Sequence, residues 1–163
     1  MSRVGIITLS DKGYAGERED KSGPTIEKIV KEYGYEVVFY KVLPDDPGML
    51  KQEMITLCDE DKVDLILTTG GTGFSKRDNT PEATLLVGER QVPGIAEAIR
   101  GYSLTITKRA MLSRGVSVIR NNTLIVNLPG SPKAVEEALT YIISELDHGL
   151  KILKGTASEC ARK

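Results

Sequence analysis

The sequence predicts an α/β protein: a three-layer sandwich in which a mostly parallel sheet carries helices on both faces. Two observations carry that prediction. First, short apolar or β-branched runs alternate with amphipathic helical runs through residue 69. Strand–helix–strand–helix–strand in that order makes parallel neighbours joined by crossover helices. Second, Gly23-Pro24, Asp46-Pro47, Thr80-Pro81 and Ser131-Pro132 each set a capping-type residue before a proline, and each pair follows a predicted strand. A cap satisfies an orphan N–H, and proline in the first helical position gives up no hydrogen bond. Several helix N-termini then gather on one edge of the sheet, where free N–H groups and helix dipoles favour anions. Ligands of such sheets bind beyond the carboxyl ends of the strands.

Taken in order, RVGIITLS (3–10) is a buried strand. The segment 11–23 is polar and the longest irregular stretch, expected to be a mobile loop. PTIEKIVKEYG (24–34) has apolar residues at 26, 29, 30 and 33, a helical spacing closed by Gly34. YEVVFYKVL (35–43) is β-branched and aromatic, hence a strand. PGMLKQEMITLCDE (47–60) is helical, with Leu50, Met54, Leu57 and Cys58 on one face. VDLILTT (63–69) is a third buried strand, followed by helices near 81–89 and 93–104. VSVIRNNTLIVNL (116–128) reads as a hairpin turning at Asn121-Asn122. A long helix over 132–153, broken near Gly149, closes the pattern.

At 163 residues the chain is expected to form a single domain, 1–163, able to bury about two thirds of its unfolded surface. Hydrophobic residues make up 40% and charged residues 28%, the composition of an ordinary globular protein. The net charge of −1 argues against a general nucleic-acid partner, which calls for a basic excess. Cys58 and Cys160 lack zinc-site spacing and read as reduced thiols of a cytoplasmic protein. The first apolar run is too short for a signal peptide, and no run reaches the ~18 apolar residues of a membrane span. His148 near the end of the last helix has no nucleophile or acid beside it in the sequence, so it reads as an ordinary helix residue.

The stretch TTGGTGFSKRDNTPEAT (68–84) leaves a buried strand and spends glycines at 70, 71 and 73. Glycines let backbone N–H groups face an anion at close range. The run is neither a GxxxxGK[ST] loop nor a GxGxxG fingerprint. Lys76 and Arg77 suit a polyphosphate beside it. Asp78 would repel that ligand unless Mg²⁺ lay between them; alternatively it caps the helix at Pro81. In LPDDPG (43–48), Asp46 is placed to cap a helix and Asp45 is free to face a site. NLPGSP (127–132) and SDKGYAG (10–16) bring Gly130, Ser131, Ser10 and Asp11 to the same edge. No Ser-His-Asp or Cys-His arrangement is visible, which leaves binding, orientation and metal-assisted charge stabilisation.

TTGGTGFSKRDNTPEAT resembles the GGTG-x-x-x-RD-x-TPEAT signature of the molybdopterin-binding family. RQVPGIAEAIR (90–100), AMLSRGVSVIR (110–120), TLIVNLPGSPKAV (123–135), SDKGYAGEREDKSGP (10–24) and LPDD (43–46) extend the likeness over nearly the whole chain. Asn79 departs from it, since the family more often has an aliphatic residue there. Within the family the sequence is most similar to the molybdopterin adenylyltransferases of the Mog type and the gephyrin G domain. The resemblance implies that molybdopterin and MgATP give adenylylated molybdopterin and pyrophosphate. It implies nucleotide or phosphate contacts from Gly70, Gly71, Thr72, Gly73, Ser75, Asn127, Pro129, Gly130 and Ser131, and pterin contacts from Ser10, Asp11 and Ser113. Asp78 would hold Mg²⁺, and Asp45 would be the second essential acid. A molybdenum insertase downstream and a homotrimer are also implied. A MoaB-like protein that binds pterin with little turnover is the alternative. Insertases carry the same domain inside a much longer chain.

Overall fold

The computed structural model describes residues 1–156, so Cys160 lies outside the described residues. Six strands form one sheet in the order β2-β1-β3-β6-β5-β4. β1 (Arg3–Leu9), β2 (Glu36–Leu43), β3 (Leu65–Thr69) and β6 (Thr123–Leu128) run parallel. β5 (Ser117–Arg120) pairs antiparallel with β6 and with the two-residue β4 (Arg90–Gln91). Apart from half-buried Arg3, every residue of β1, β3 and β6 is buried. These strands are covered on both faces, which is why they read as largely apolar runs, with Thr8, Thr68, Thr69, Thr123 and Asn127 as buried polar residues. β2, an edge strand, alternates between exposed and half-buried as far as Tyr40 and ends at buried Leu43.

Two separate cores confirm the three layers. On one face α2 (Ser22–Glu32), α5 (Pro93–Leu104) and α6 (Pro132–Leu153) bury Ile26, Ile99 and Leu139 against Val4, Leu67 and Val126. On the other, α3 (Pro47–Asp59) and α4 (Thr80–Val87) bury Leu50, Met54 and Ala83 against Ile7, Ile66 and Ile125. Cys58 is a buried core residue of α3. The β5–β6 hairpin turns at Asn121, whose φ of 51° suits asparagine, followed by Asn122. His148 is exposed on α6. No helix of the described residues is long and apolar enough to cross a membrane.

Several local expectations give way to tertiary contacts. Asp46 and Ser131 do cap α3 and α6, accepting from the N–H groups of Met49 at 3.0 Å and Ala134 at 3.2 Å. Gly23 does not cap α2, which starts at Ser22; the Asp20 carboxylate accepts from the N–H groups of Ser22 and Gly23 instead. Thr80 is the first residue of α4 rather than its cap, because its N–H is drawn to the carbonyl of Gly71 at 3.1 Å. α6 runs through Gly149 unbroken, held by buried Leu146 and Leu150 on either side of it. The loop 11–23 begins as a short helix, α1 (Asp11–Tyr14), and is pinned at its far end by Asp20, which also accepts from the hydroxyls of Thr8 and Tyr40. Two features went unread in the sequence: β4, and a 3-10 turn at Lys108–Leu112.

Candidate active site

Parallel register brings four loops to one edge. Leu9 pairs with Leu43, Thr8 with Thr69, and Thr69 with Leu128, so β1, β2, β3 and β6 end level. Their next residues are Ser10-Asp11, Pro44-Asp45, Gly70-Gly71 and Pro129-Gly130. The chain leaves β1 towards β2 on one side and pairs β1 with β3 on the other, so the crevice between the β1 and β3 ends is the switch point of the sheet.

The glycine run is the ridge of this crevice. Gly70 has φ +94° and Gly71 φ +70°, a region that side chains resist. A Cβ on Gly70 would collide with the carbonyl oxygen of Leu9, and one on Gly71 with the hydroxyl of Thr80. On the α2/α6 side of the ridge lies a cleft of about 560 Å³, lined by Ser10, Thr69, Gly70, Gly130 and Ser131, with Arg18 and Lys21 at its wall. Two bonds hold that wall: Thr69 Oγ1 donates to the Pro129 carbonyl at 2.6 Å, and Ser22 Oγ to that of Gly130 at 2.8 Å. Ser10 caps α1, its hydroxyl accepting from Gly13 N–H at 2.9 Å.

On the other side of the ridge stand the acids. Asp11 and Asp45 hold each other: the Asp45 N–H donates to Asp11 Oδ1 at 2.9 Å, and the Asp11 N–H to Asp45 Oδ2 at 3.2 Å. Arg77 grips Asp11 with Nε at 2.6 Å and Nη2 at 2.9 Å. That guanidinium, then the Asp45 N–H, holds the Asp11 carboxyl below its ordinary value. Burial pushes Asp45 up, and the charges of Asp11 and Asp78 push the same way. The Asp78 carboxylate does not cap α4; it accepts from Ser75 N–H at 2.9 Å. A Cβ on Gly73 would lie 2.9 Å from Asp78 Oδ2, and one on Gly71 3.5 Å from Asp45 Oδ1. The two carboxylates therefore border the glycine run. Among the described residues, no three His, Cys, Asp or Glu side chains cluster as a ready metal cage. Asp45 and Asp78 are carboxylate donors of the kind a hard cation such as Mg²⁺ takes.

Two residues grouped with this site from the sequence have other surroundings. Asn127 is buried, its amide donating to Thr68 Oγ1 and Thr84 Oγ1 at 3.0 Å each and accepting from Val116 N–H at 3.2 Å. That leaves no amide hydrogen for a ligand. Asn127→Ala is expected to cost about 1–3 kcal/mol in urea denaturation, the penalty of orphaning buried polar groups. A loss of nucleotide affinity at unchanged stability would instead put Asn127 on the ligand. Ser113 does not line the cleft that holds Ser10; it sits beside Arg114, across the Thr72–Gly73 backbone. Arg114, Glu82 and Asp20 escaped the sequence reading. Asp20 had one signal, its position just ahead of a helix start.

The family model described as "probable molybdopterin binding domain" matches residues 5–148. The chain belongs to this molybdopterin-binding family. Family members named molybdopterin adenylyltransferase include those of Haemophilus influenzae, 41% identical over 97% of this chain and 80% of that one, and Helicobacter pylori, 36% identical over 98% and 92%. Among solved structures of the family, the molybdopterin biosynthesis enzyme MoaB of Thermus thermophilus superposes with a TM-score of 0.89 at 46% identity, covering 95% of this chain and 98% of that one. The tungsten cofactor synthesizing protein MoaB of Pyrococcus furiosus gives 0.86 at 34% identity, over 94% and 98%.

Proposed function

We propose that the protein is a molybdopterin adenylyltransferase of molybdenum cofactor biosynthesis, a nucleotidyltransferase that uses ATP. The observation that carries this reading is the pair of acids bordering the glycine run, Asp45 beside Gly71 and Asp78 beside Gly73, at the switch point of the sheet. An oxygen of the molybdopterin phosphate attacks the α-phosphorus of ATP. The bond from that phosphorus to the bridging oxygen breaks, and pyrophosphate leaves. The attacking group is already an anion, so no strong general base is required. The difficulty is bringing two anions together, and the chain answers it with N–H groups, Arg77 and the arrangement of its loops. The cleft on one side of the glycine ridge and the acids on the other offer adjoining places for two substrates. Asp78 and Asp45 would hold Mg²⁺, which supplies charge neutralisation at the phosphates. We also propose a single domain acting as a homotrimer in the cytoplasm, handing its product to an insertase.

The test is turnover with purified protein, molybdopterin, ATP and Mg²⁺, quantifying pyrophosphate and adenylylated pterin. Equal amounts of both support the reading. The alternative is a MoaB-like protein that binds pterin with little turnover, MoaB structures being among those that superpose with this chain. Pterin binding without pyrophosphate release would select it.

A further inference from the structure

We propose that Arg114 is a positioning residue for the nucleotide phosphates, setting which way the peptide groups of the glycine run face and where Asp78 stands. The kinetic part of this inference rests on the adenylyltransferase reading; the binding part does not.

Arg114 collects carbonyl groups from three peptides of one loop. Its backbone N–H donates to the Thr72 carbonyl at 2.9 Å, its Nε to the Gly73 carbonyl at 2.8 Å, and its Nη2 to the Asp78 carbonyl at 2.6 Å. Its remaining nitrogen, Nη1, is held by both oxygens of Glu82, at 2.9 and 2.8 Å. Glu82 lies in the first turn of α4, and with the Gly73 and Asp78 carbonyls it leaves no guanidinium nitrogen without a partner. The Glu82 hydrogen bond, with its charge, also raises Arg114 above the ordinary arginine value.

A trans peptide points its C=O and the following N–H in opposite directions. With the carbonyls of Thr72, Gly73 and Asp78 turned to Arg114, the N–H groups of Gly73, Phe74 and Asn79 turn away from it. Among the described residues these three N–H groups meet no protein acceptor, while Ser75 N–H already serves Asp78. Arg114 thus presents a row of free donors without touching the ligand they face. The same bonds tether Asp78 through its own carbonyl and through Gly73, the glycine nearest its carboxylate. Lysine cannot replace it, since one ammonium has no fork to span the Gly73 and Asp78 carbonyls and Glu82 together.

The experiment compares the parent, Arg114→Lys and Arg114→Met by two readouts, after thermal melts establish that each is folded. The first is calorimetric affinity for Mg²⁺ with α,β-methylene ATP, which cannot be split at the reacting bond. The second is the kcat and KM of pyrophosphate release, with and without added guanidinium ion. Arg114→Met is expected to bind the analogue at least about tenfold more weakly and to lose about 10²-fold in kcat, as a misaligned site does. KM for molybdopterin should stay near that of the parent, guanidinium ion should restore part of the rate, and Arg114→Lys should fall with Arg114→Met. Should Arg114→Met fail to fold, Arg114→Lys carries the same comparison. Parental analogue affinity in the folded variants overturns the proposal, and so does parental kcat where the parent turns over. A parent that binds the analogue without turnover, with weaker binding in the variants, would remove the adenylyltransferase reading and leave Arg114 its role.

Discussion

Asp78→Asn is expected to lower the rate of pyrophosphate release by roughly 10²- to 10³-fold, the usual cost of removing one preorganised group that stabilises developing charge. The fold should survive, for a local reason. The Asp78 side chain has one protein partner among the described residues, the Ser75 N–H at 2.9 Å, and an asparagine oxygen can accept that bond equally well. The backbone bonds of Asp78, from its N–H to Ser75 and from Arg114 to its carbonyl, are untouched by the change. Only the negative charge is lost. If that charge holds a divalent cation against the phosphates, the variant should need more Mg²⁺ for half-maximal rate and should keep its melting temperature. Parental turnover in a folded Asp78→Asn protein would take Asp78 out of the chemistry. It would leave Asp45, the half-buried acid whose charge burial disfavours, as the remaining candidate.

The sequence displayed the parallel core because strands buried on both faces are mostly apolar, as Leu65–Leu67 and Leu124–Val126 are. It displayed α3 and α6 because Asp46 and Ser131 cap through their own side chains, an interaction contained in four residues. At two other starts the residue-before-proline signal misled: Asp20, also within four residues, serves the start of α2 in place of Gly23, and the distant Gly71 carbonyl takes the Thr80 N–H. β4 and the 3-10 turn at Lys108–Leu112 are too short to show a period. The neighbourhood of Asp11, Asp45 and the glycine run was legible for a topological reason. Loops that follow adjacent parallel strands must meet, whatever their composition. The bonds of Arg114 to Glu82, Asp78 and Gly73 span 32, 36 and 41 residues, and no pattern of spacing announces such a partnership. Asn127 shows the converse. A polar residue ending a buried strand looks aimed at the ligand edge, yet Thr68 and Thr84 consume its amide.

Gly73→Val and Gly70→Val should fail in different ways, and the contrast isolates what the glycine run does. Gly70 sits at φ +94°, and a Cβ there would strike the Leu9 carbonyl inside the sheet edge, so Gly70→Val should yield little folded protein. Gly73 is not in the left-handed region, so its backbone accepts a side chain without strain. Its Cβ would come within 2.9 Å of Asp78 Oδ2, at the end of a side chain that can move. Gly73→Val should therefore fold with a melting temperature near the parent's and bind Mg²⁺–ATP at least about tenfold more weakly, a penalty of about 1.4 kcal/mol. Two causes would produce that loss, bulk where phosphates approach or displacement of Asp78 from its cation. Repeating the titration with ATP in a metal chelator separates them. A loss that persists without Mg²⁺ is steric and makes Gly73 part of the phosphate cradle. A loss that vanishes without Mg²⁺ acts through Asp78 and assigns the glycine to the metal's side of the ridge. Parental affinity under both conditions would mean that no phosphate approaches Gly73, and the glycine run would then owe its composition to the tight turn at Gly70 and Gly71 alone.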